Sequence, residues 1–391
     1  MEKPVILSAQ RTAIGSFQGV FSQTPGTQLG TAAILAAVKA ADLAPSHVQE
    51  VIMGQVLTAG TGQAPARQAA LGAGIPNSAV CMTINKVCGS GLKAVMLGAD
   101  SIRTGQSEVV MAGGQENMTL APHLMEQSRS GYRMGPVTMA DSMIKDGLWD
   151  PYNNWHMGNA AELCVKENEF TREAQDEFAI HSYKKAQMAQ EKGFFKNEIC
   201  AFEIQDRKGK TLIEKDEEPG KAMFEKMPGL KPAFDKTGTI TAANASKIND
   251  GAAALLLASE TWAQKNSRKP IARIIGYGTF AQDPKWFTTA PVGSIEKALR
   301  SAGLAAKDID LWEINEAFSV VAMYAAKKLD ISMERMNVHG GAVALGHPIG
   351  ASGARLLTTL VHGLHTHNKR YGVVSLCIGG GEGIALVVEK I

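Results

Sequence analysis

The chain repeats itself. Leu35 to Leu43 followed by Val48 to Met53 has a counterpart in Glu296 to Leu304 followed by Ile309 to Ile314, Leu43 matching Leu304 and Val48 matching Ile309. Ser90-Gly91-Leu92-Lys93-Ala94 is matched by Ser352-Gly353-Ala354-Arg355-Leu356. A strand-like run ending in Gly113-Gly114 is matched by Gly372 to Cys377 ending in Gly379-Gly380. Apolar helices and Gly-Gly pairs recur by chance, so no single match proves much. Their common order at a nearly constant separation is what argues for duplication.

Forty glycines in 391 residues punctuate alternating strand-like and helix-like segments. Strands are expected at Val5 to Ala9, Val48 to Gln55, Ala79 to Ile84, and Glu108 to Ala112, the last closed by Gly113-Gly114. Helices are expected at Gly30 to Ala41, at Ala66 to Gly72, and from Gly89 onward, where Leu92, Val95, Met96, Ala99 and Ile102 recur at helical spacing. This is an α/β pattern with a mostly parallel sheet. Residues 1–114 with 246–268 form the first half and 269–391 the second. The intervening 115–245 lacks the pattern and reads as a substrate-covering insertion, with a dimerisation arm as the bland and compatible alternative. Within it Thr171, with Glu173 in the first turn, makes an N-cap for a helix to Lys192. The charge-mixed stretch Asp206 to Asp235 reads as solvated surface.

Bulk properties exclude several classes. Forty basic residues against 38 acidic ones leave a net charge of +2, so neither nucleic acid nor an anionic membrane has an electrostatic footprint here. No run of about 18 apolar residues could span a bilayer, and no signal peptide precedes the first strand-like run. The five cysteines are widely spaced without CxxC pairs, which argues against disulfides and structural zinc and for a reducing compartment.

In open α/β sheets the loops after the carboxyl ends of strands converge on one crevice. Four chemically able residues hold such positions. Cys88 lies where a strand turns into a helix, whose free N–H groups favour the thiolate. Asn315 follows the strand Asp310 to Ile314. His347 lies in Gly346-His347-Pro348-Ile349-Gly350 ahead of a helix, and Cys377 ends the strand Tyr371 to Leu376. Each also has a bland reading: Cys88 and Cys377 as core, Asn315 and His347 as helix caps for Ala317 to Leu329 and for the helix near Gly350. His181, His362, His365 and His367 read as surface.

The segments Asn85 to Leu92, Trp312 to Phe318, Gly340 to Arg355 and Cys377 to Gly383 resemble the thiolases, most closely the short-chain acetyl-CoA acetyltransferases. The resemblance runs from Val5 to the end of the chain. It implies a five-layered α-β-α-β-α fold of two similar halves with a loop domain inserted in the first. It also implies a chemistry: His347 takes the Cys88 proton, Cys88 becomes acetylated, and Cys377 removes an α-proton from a second acetyl-CoA. By the same resemblance the backbone N–H groups of Cys88 and Gly379 hold one oxyanion, and His347 with a water ordered by Asn315 holds the other. His156, Met157, Phe234 and Ser246 match acyl-pocket and coenzyme A positions, and Phe287 stands where short-chain relatives close the pocket.

The implied ligands are acetyl-CoA, acetoacetyl-CoA and CoA, with no required cofactor and no metal, and the implied assembly is a homotetramer; the expected location is the cytoplasm or, if a transit peptide was removed, an organelle matrix. The sequence departs from the family pattern twice. Positions that hold the nucleotide in some relatives fall near Lys221 and Lys226, and the tyrosine near Pro219 through which some animal mitochondrial relatives bind potassium is missing. A degradative 3-ketoacyl-CoA thiolase of broader chain length shares every catalytic residue and is the alternative. A ketosynthase would carry histidine at Cys377, and a nicotinamide enzyme would need a helix after Gly379-Gly380-Gly381-Glu382-Gly383, where the sequence reads as a strand.

Overall fold

The computed structural model describes residues 2–206 and 209–391. Arg207 and Lys208 of the charge-mixed stretch lie outside the described residues. The first half is built from β1 (Pro4–Arg11), α1 (Gly26–Ala40), β2 (Glu50–Gly54), α2 (Pro65–Gly72), β3 (Val80–Ile84), α3 (Ser90–Arg103) and β4 (Val109–Asn117). The insertion carries α4 (Met157–Asn168) and α5 (Arg172–Glu191), after which β5 (Asn249–Ser259) returns to the first sheet. The second half comprises β6 (Ala272–Ala281), α6 (Ala290–Ala302), β7 (Leu311–Ile314), α7 (Ser319–Leu329), α8 (Ser352–Thr366), β8 (Tyr371–Ile378) and β9 (Glu382–Lys390).

The strand orders β2-β4-β5-β1 and β7-β8-β9-β6 correspond element by element, the first half adding β3 beside β2, and the sheets join edge to edge through Val5–Arg273 and Ile6–Ala272. Met336 makes a single parallel bridge to Trp312 on the outer side of β7, where the first half has β3. The duplication is therefore a repeat of topology. The expected mostly parallel sheet needs correction, because among the strand pairs of the described residues only β2/β3, β2/β4 and β7/β8 are parallel. The remaining pairings are antiparallel. β8 turns directly into β9 through Gly379-Gly380-Gly381, and so short a connection can only make a hairpin.

Apolar clusters mark the layers. Leu29 and Ile34 of α1 pack on Val51, Met53 and Leu256 at one outer face. Ile295 and Leu299 of α6 pack on Trp312, Val373 and Val387 at the other. Between the sheets, Leu92 and Val95 of α3 meet Leu357 and Leu360 of α8 with Val374 and Leu386. Each fully buried leucine of these clusters contributes about 1.5–3 kcal/mol. This is the α-β-α-β-α order, with α3 and α8 as the shared central layer. Their crossing explains one repeated glycine: a Cβ on Gly91 would lie 2.8 Å from the Ala354 nitrogen, and one on Gly353 would lie 2.4 Å from the Leu92 nitrogen.

Gly113 and Gly114 do not close a strand. β4 runs on to Asn117, paired with β5 throughout, and a Cβ at either glycine would sit 2.1 Å from a carbonyl oxygen, of Ala253 and Gly350 respectively. They mark close backbone approach rather than a turn. In the insertion, Thr171 caps α5 by accepting from the Ala174 N–H at 3.1 Å. Asp216, inside the stretch read as solvated, is instead buried. It pairs with Arg11 at 2.7 Å, as does Glu198 at 2.6 Å, tying the insertion to β1.

Candidate active site

Cys88 sits two residues before α3 on a strained turn. Val87 has φ +45°, a left-handed conformation that a β-branched residue adopts only at a cost of about 1–3 kcal/mol. Ser90, the first residue of α3, holds that turn: its hydroxyl donates to the Val87 carbonyl (2.6 Å) and accepts from the Lys86 N–H (2.8 Å). The turn aims the cysteine into a cavity of about 60 Å³, where Cys88, His156, Met157, Ser246, Phe287, His347 and Gly379 meet, joined by Phe318 and Ile349.

His347 is 5% exposed and held on three sides. Its own N–H donates to Asn249 Oδ1 (2.9 Å), its Nδ1 lies 2.6 Å from Ser352 Oγ, and its Nε2 lies 3.4 Å from Asn315 Nδ2. The tautomer follows from the inventory of donors. The Ser352 hydroxyl donates to the Pro348 carbonyl (2.8 Å), so it accepts from His347, which puts the ring proton on Nδ1 and leaves Nε2 as an acceptor, facing the Asn315 amide N–H. Burial, reinforced by the Arg355 charge, lowers the His347 pKa to about 3, so the ring is neutral.

The thiol behaves differently from the expectation drawn from its helix terminus. Burial pushes Cys88 up to about 11, the Gly379 and Cys88 backbone N–H groups pull it down, and the Glu116 charge pushes it up. The N–H groups act in the expected direction and desolvation outweighs them. Resting Cys88 is a thiol beside a neutral imidazole, not an ion pair.

Cys377 and Asn315 stand behind the cavity wall. Cys377 is fully buried with Met157, Phe287, Ala317 and Phe318, and its thiol is raised well above the ordinary value by burial and then by the nearby Cys88 charge. Asn315 is not a helix cap: α7 begins at Ser319 with Phe318 in the cap position, and the Asn315 Oδ1 is buried without a hydrogen-bond partner among the described residues. Phe234 stacks on His156 with ring centroids 4.8 Å apart and meets Phe318 edge-on at 5.9 Å. His156 in turn caps α4, its Nδ1 accepting from the Gly158 N–H at 3.0 Å.

Sequence reasoning did not find Ser352, Asn249 or Glu116. Ser352 lay in plain view as the repeat partner of Ser90, and both hydroxyls bond back into the turn three to five residues before their own position. Glu116 accepts from Val56, Leu57 and Gly350 N–H groups, and burial raises it to about 7. Among the described residues no three His, Cys, Asp or Glu side chains are grouped to hold a metal, and no helix is long and apolar enough to cross a membrane.

Two matched halves thus share one centre, to which the first brings a cysteine on a strained turn and the second a tautomer-fixed histidine and a second cysteine. This is the plan of an acyl-transferring enzyme. Residues 4–261 match the thiolase N-terminal domain and residues 268–390 the thiolase C-terminal domain, and the chain belongs to the thiolase family. It is 51% identical to an acetyl-CoA acetyltransferase of Cupriavidus necator, with all of both chains covered. It is 48% identical to one of Schizosaccharomyces pombe, covering 99% of this chain and 98% of that one. Among solved structures, the Bacillus anthracis acetyl-CoA acetyltransferase matches with a TM-score of 0.98 at 40% identity, covering 100% of this chain and 99% of that one. The Acat5 thiolase from Ascaris suum, in complex with coenzyme A, matches with a TM-score of 0.95 at 43% identity and full coverage of both.

Proposed function

We propose that this chain catalyses the reversible Claisen condensation of two acetyl-CoA to acetoacetyl-CoA and CoA through an acetyl group on Cys88. The observation that carries the reading is the size of the space at the nucleophile. A cavity of about 60 Å³, closed by Met157, Phe287 and Phe318, has room for roughly four or five water-sized groups. That suits an acetyl group and a two-carbon partner, not an eight-carbon chain. The names of the relatives point the same way.

The residues support a sequence of steps in which protons balance. His347 Nε2 takes the Cys88 proton as Sγ attacks the thioester carbon, and the developing oxyanion is held by the Cys88 and Gly379 N–H groups. Donors placed in this way contribute on the order of 10² to 10³ each in rate. The S–C bond to CoA breaks and the leaving sulfur takes the proton of Cys377. With Cys88 acetylated no thiolate can form there beside Cys377, and the Cys377 thiolate left when its proton went to CoA accepts the α-proton of the second acetyl-CoA. The enolate oxygen is held by the His347 imidazolium and a water on Asn315. The carbanion attacks the acetyl carbon, releasing a Cys88 thiolate that recovers its proton from His347. Nothing in this sequence calls for a cofactor.

His156, Met157, Phe234 and Ser246 are assigned to the pantetheine arm and Phe287 to the pocket floor. The assembly we propose is a homotetramer working in the cytoplasm. It is supported by the apolar residues exposed on the edge strand β3, Val80 at 62% and Met82 at 46%, by the bare Met134 at 99%, and by five free thiols.

The test is CoA-dependent cleavage of acetoacetyl-CoA beside a 3-ketoacyl-CoA of about eight carbons, with Cys88→Ala as control. Cleavage of the four-carbon substrate alone, lost in Cys88→Ala, is the expected result. Equal cleavage of both substrates would move the enzyme to the degradative thiolases, and cleavage of neither would refute the catalytic reading.

A further inference from the structure

The loop Gly346-His347-Pro348-Ile349-Gly350 belongs to the second half of the chain, yet side chains of the first half grip it at both ends. At the His347 end, Asn249 on β5 accepts from the His347 N–H (2.9 Å). At the other end, Glu116 on β4 accepts from the Gly350 N–H (2.9 Å). The same carboxylate accepts from the N–H groups of Val56 (2.9 Å) and Leu57 (3.2 Å), in the loop that follows β2. Glu116 is fully buried and stands so close that position 350 has no room for a side chain: a Cβ there would lie 2.6 Å from Glu116 Oε2 and 2.9 Å from the Gln55 Cα.

What this grip holds is a wall. Ile349, one residue before Gly350, lines the cavity at Cys88 together with Gly147 of the insertion. It is fully buried in a cluster with Val56, Leu57, Met118 and Met143, and Cys88 packs against that cluster. Ile349 and Leu57 close on Gly147 together, since a Cβ at 147 would lie 2.9 Å from Ile349 Cδ1 and 3.6 Å from Leu57 Cδ2. One carboxylate therefore fixes the peptides on both sides of that contact, through hydrogen bonds of the stronger, charge-assisted kind.

We infer that Glu116 is a positioning residue that limits the acyl length the enzyme accepts, by holding Ile349 as a rigid wall of the space beside Cys88. The inference rests on the reading of that space as the acyl pocket. The base is held separately, by Asn249 and Ser352, so loss of the Glu116 carboxylate slackens the wall more than it displaces His347. A slack wall yields to a longer acyl group and gives nothing to an acetyl group, which fits already.

Glu116→Met removes the three acceptor contacts at nearly unchanged side-chain length. The readout is the rate of CoA release in a single turnover from butanoyl-CoA divided by that from acetyl-CoA, a ratio from which the fraction of folded enzyme cancels. The ratio is expected to rise about tenfold, the lower end of the discrimination that one methylene of pocket space commands. Asn117→Ala is the control. Asn117 is the next residue of β4, buried on the other face of the strand, with backbone bonds of its own to Phe21, Thr24 and Leu120. Its loss should lower the melting temperature and leave the ratio unchanged. Because Glu116 acts through Ile349, Ile349→Ala should raise the ratio by itself, and adding Glu116→Met to it should change the ratio by less than about twofold. If Glu116→Met lacks a cooperative melting transition, Glu116→Asp, one methylene too short to span both loops, takes its place. A ratio within about twofold of the parent, an equal rise in Asn117→Ala, or a full second rise in the double variant each overturns the inference. A crystal structure of the Glu116 variant decides the matter where no CoA is released. An unmoved Ile349–Gly350 peptide overturns the inference, whereas a displaced peptide in an enzyme whose parent takes no acetyl group on Cys88 means that the proposed activity has failed and the positioning role stands.

Discussion

Ser352→Ala removes one oxygen and leaves the His347 ring with a buried Nδ1–H that has nowhere to donate. In the parent Nδ1 is 2.6 Å from an oxygen whose own proton is committed to the Pro348 carbonyl. An unsatisfied buried donor costs about 1–3 kcal/mol. The variant can relieve that cost by moving the proton to Nε2, which faces Asn315 Nδ2 and is the atom that must receive the Cys88 proton. Either way the productive tautomer is disfavoured by the same amount, which at about 1.4 kcal/mol per tenfold predicts acetylation of Cys88 slower by roughly 5- to 150-fold. The assay is the pre-steady-state release of CoA from acetyl-CoA in a single turnover, so that the condensation half does not enter. Acetylation within twofold of the parent, in a protein that melts normally, would refute the tautomer argument, and with it the claim that the helix-start serine of the second repeat serves the base.

Phe287→Ala should open the pocket floor and admit longer acyl chains, raising cleavage of a six-carbon 3-ketoacyl-CoA relative to acetoacetyl-CoA by about tenfold; an unchanged ratio would show that the floor lies elsewhere. Gly91→Ala drives a Cβ to 2.8 Å from the Ala354 backbone and should cost 3 kcal/mol or about that, read as a lower denaturant midpoint; a neutral result would mean that the central helices can separate. Thermal stability should fall as pH rises from about 6 to 8. Glu116, Asp250 and Glu313 are raised in the fold to about 7, 6 and 8, so their protonated, stabilising forms are lost as pH climbs through those values. His347 and His339, lowered from 6.5 to about 3 and 4, take the opposite sign: the stability of their neutral forms is present above about pH 6.5 and is lost as pH falls from there through about 4 and 3. A melting temperature flat or rising between pH 6 and 8 contradicts these assignments.

The repeat was legible because topology is written in the order of elements, and the strand order of both halves matches it. The sense of the strands was not. β5 returns after a long insertion that can deliver it in either direction, and what settles it is pairing with β4, which lies far away in sequence. Gly113-Gly114 misled for a related reason: a pair of glycines looks the same whether the chain turns there or another backbone presses against it. Cys88, His347, Asn315 and Cys377 could be placed at strand and helix ends from local pattern alone. The partners that fix the state of His347 could not. Ser352 at a helix start reads as a cap, and Asn249 reaches the loop only because β5 passes beside it. The protonation of Cys88 depends on how deeply α3 and α8 enclose it, and no local spacing encodes depth.

The unequal contribution of the halves has a historical consequence. Two identical subunits associating about a twofold axis would form two equivalent centres, one at each crossing of a central helix with its neighbour's sheet. In the fused chain the repeat position of Cys88 is Gly350, two residues before Ser352 as Cys88 is two before Ser90, and its N–H now donates to Glu116 at 2.9 Å. That position therefore carries no nucleophile and serves as scaffold around the centre at Cys88. Joining two copies into one polypeptide freed each from having to be complete, and one copy could specialise in presenting the nucleophile while the other kept the acids and bases that work on it.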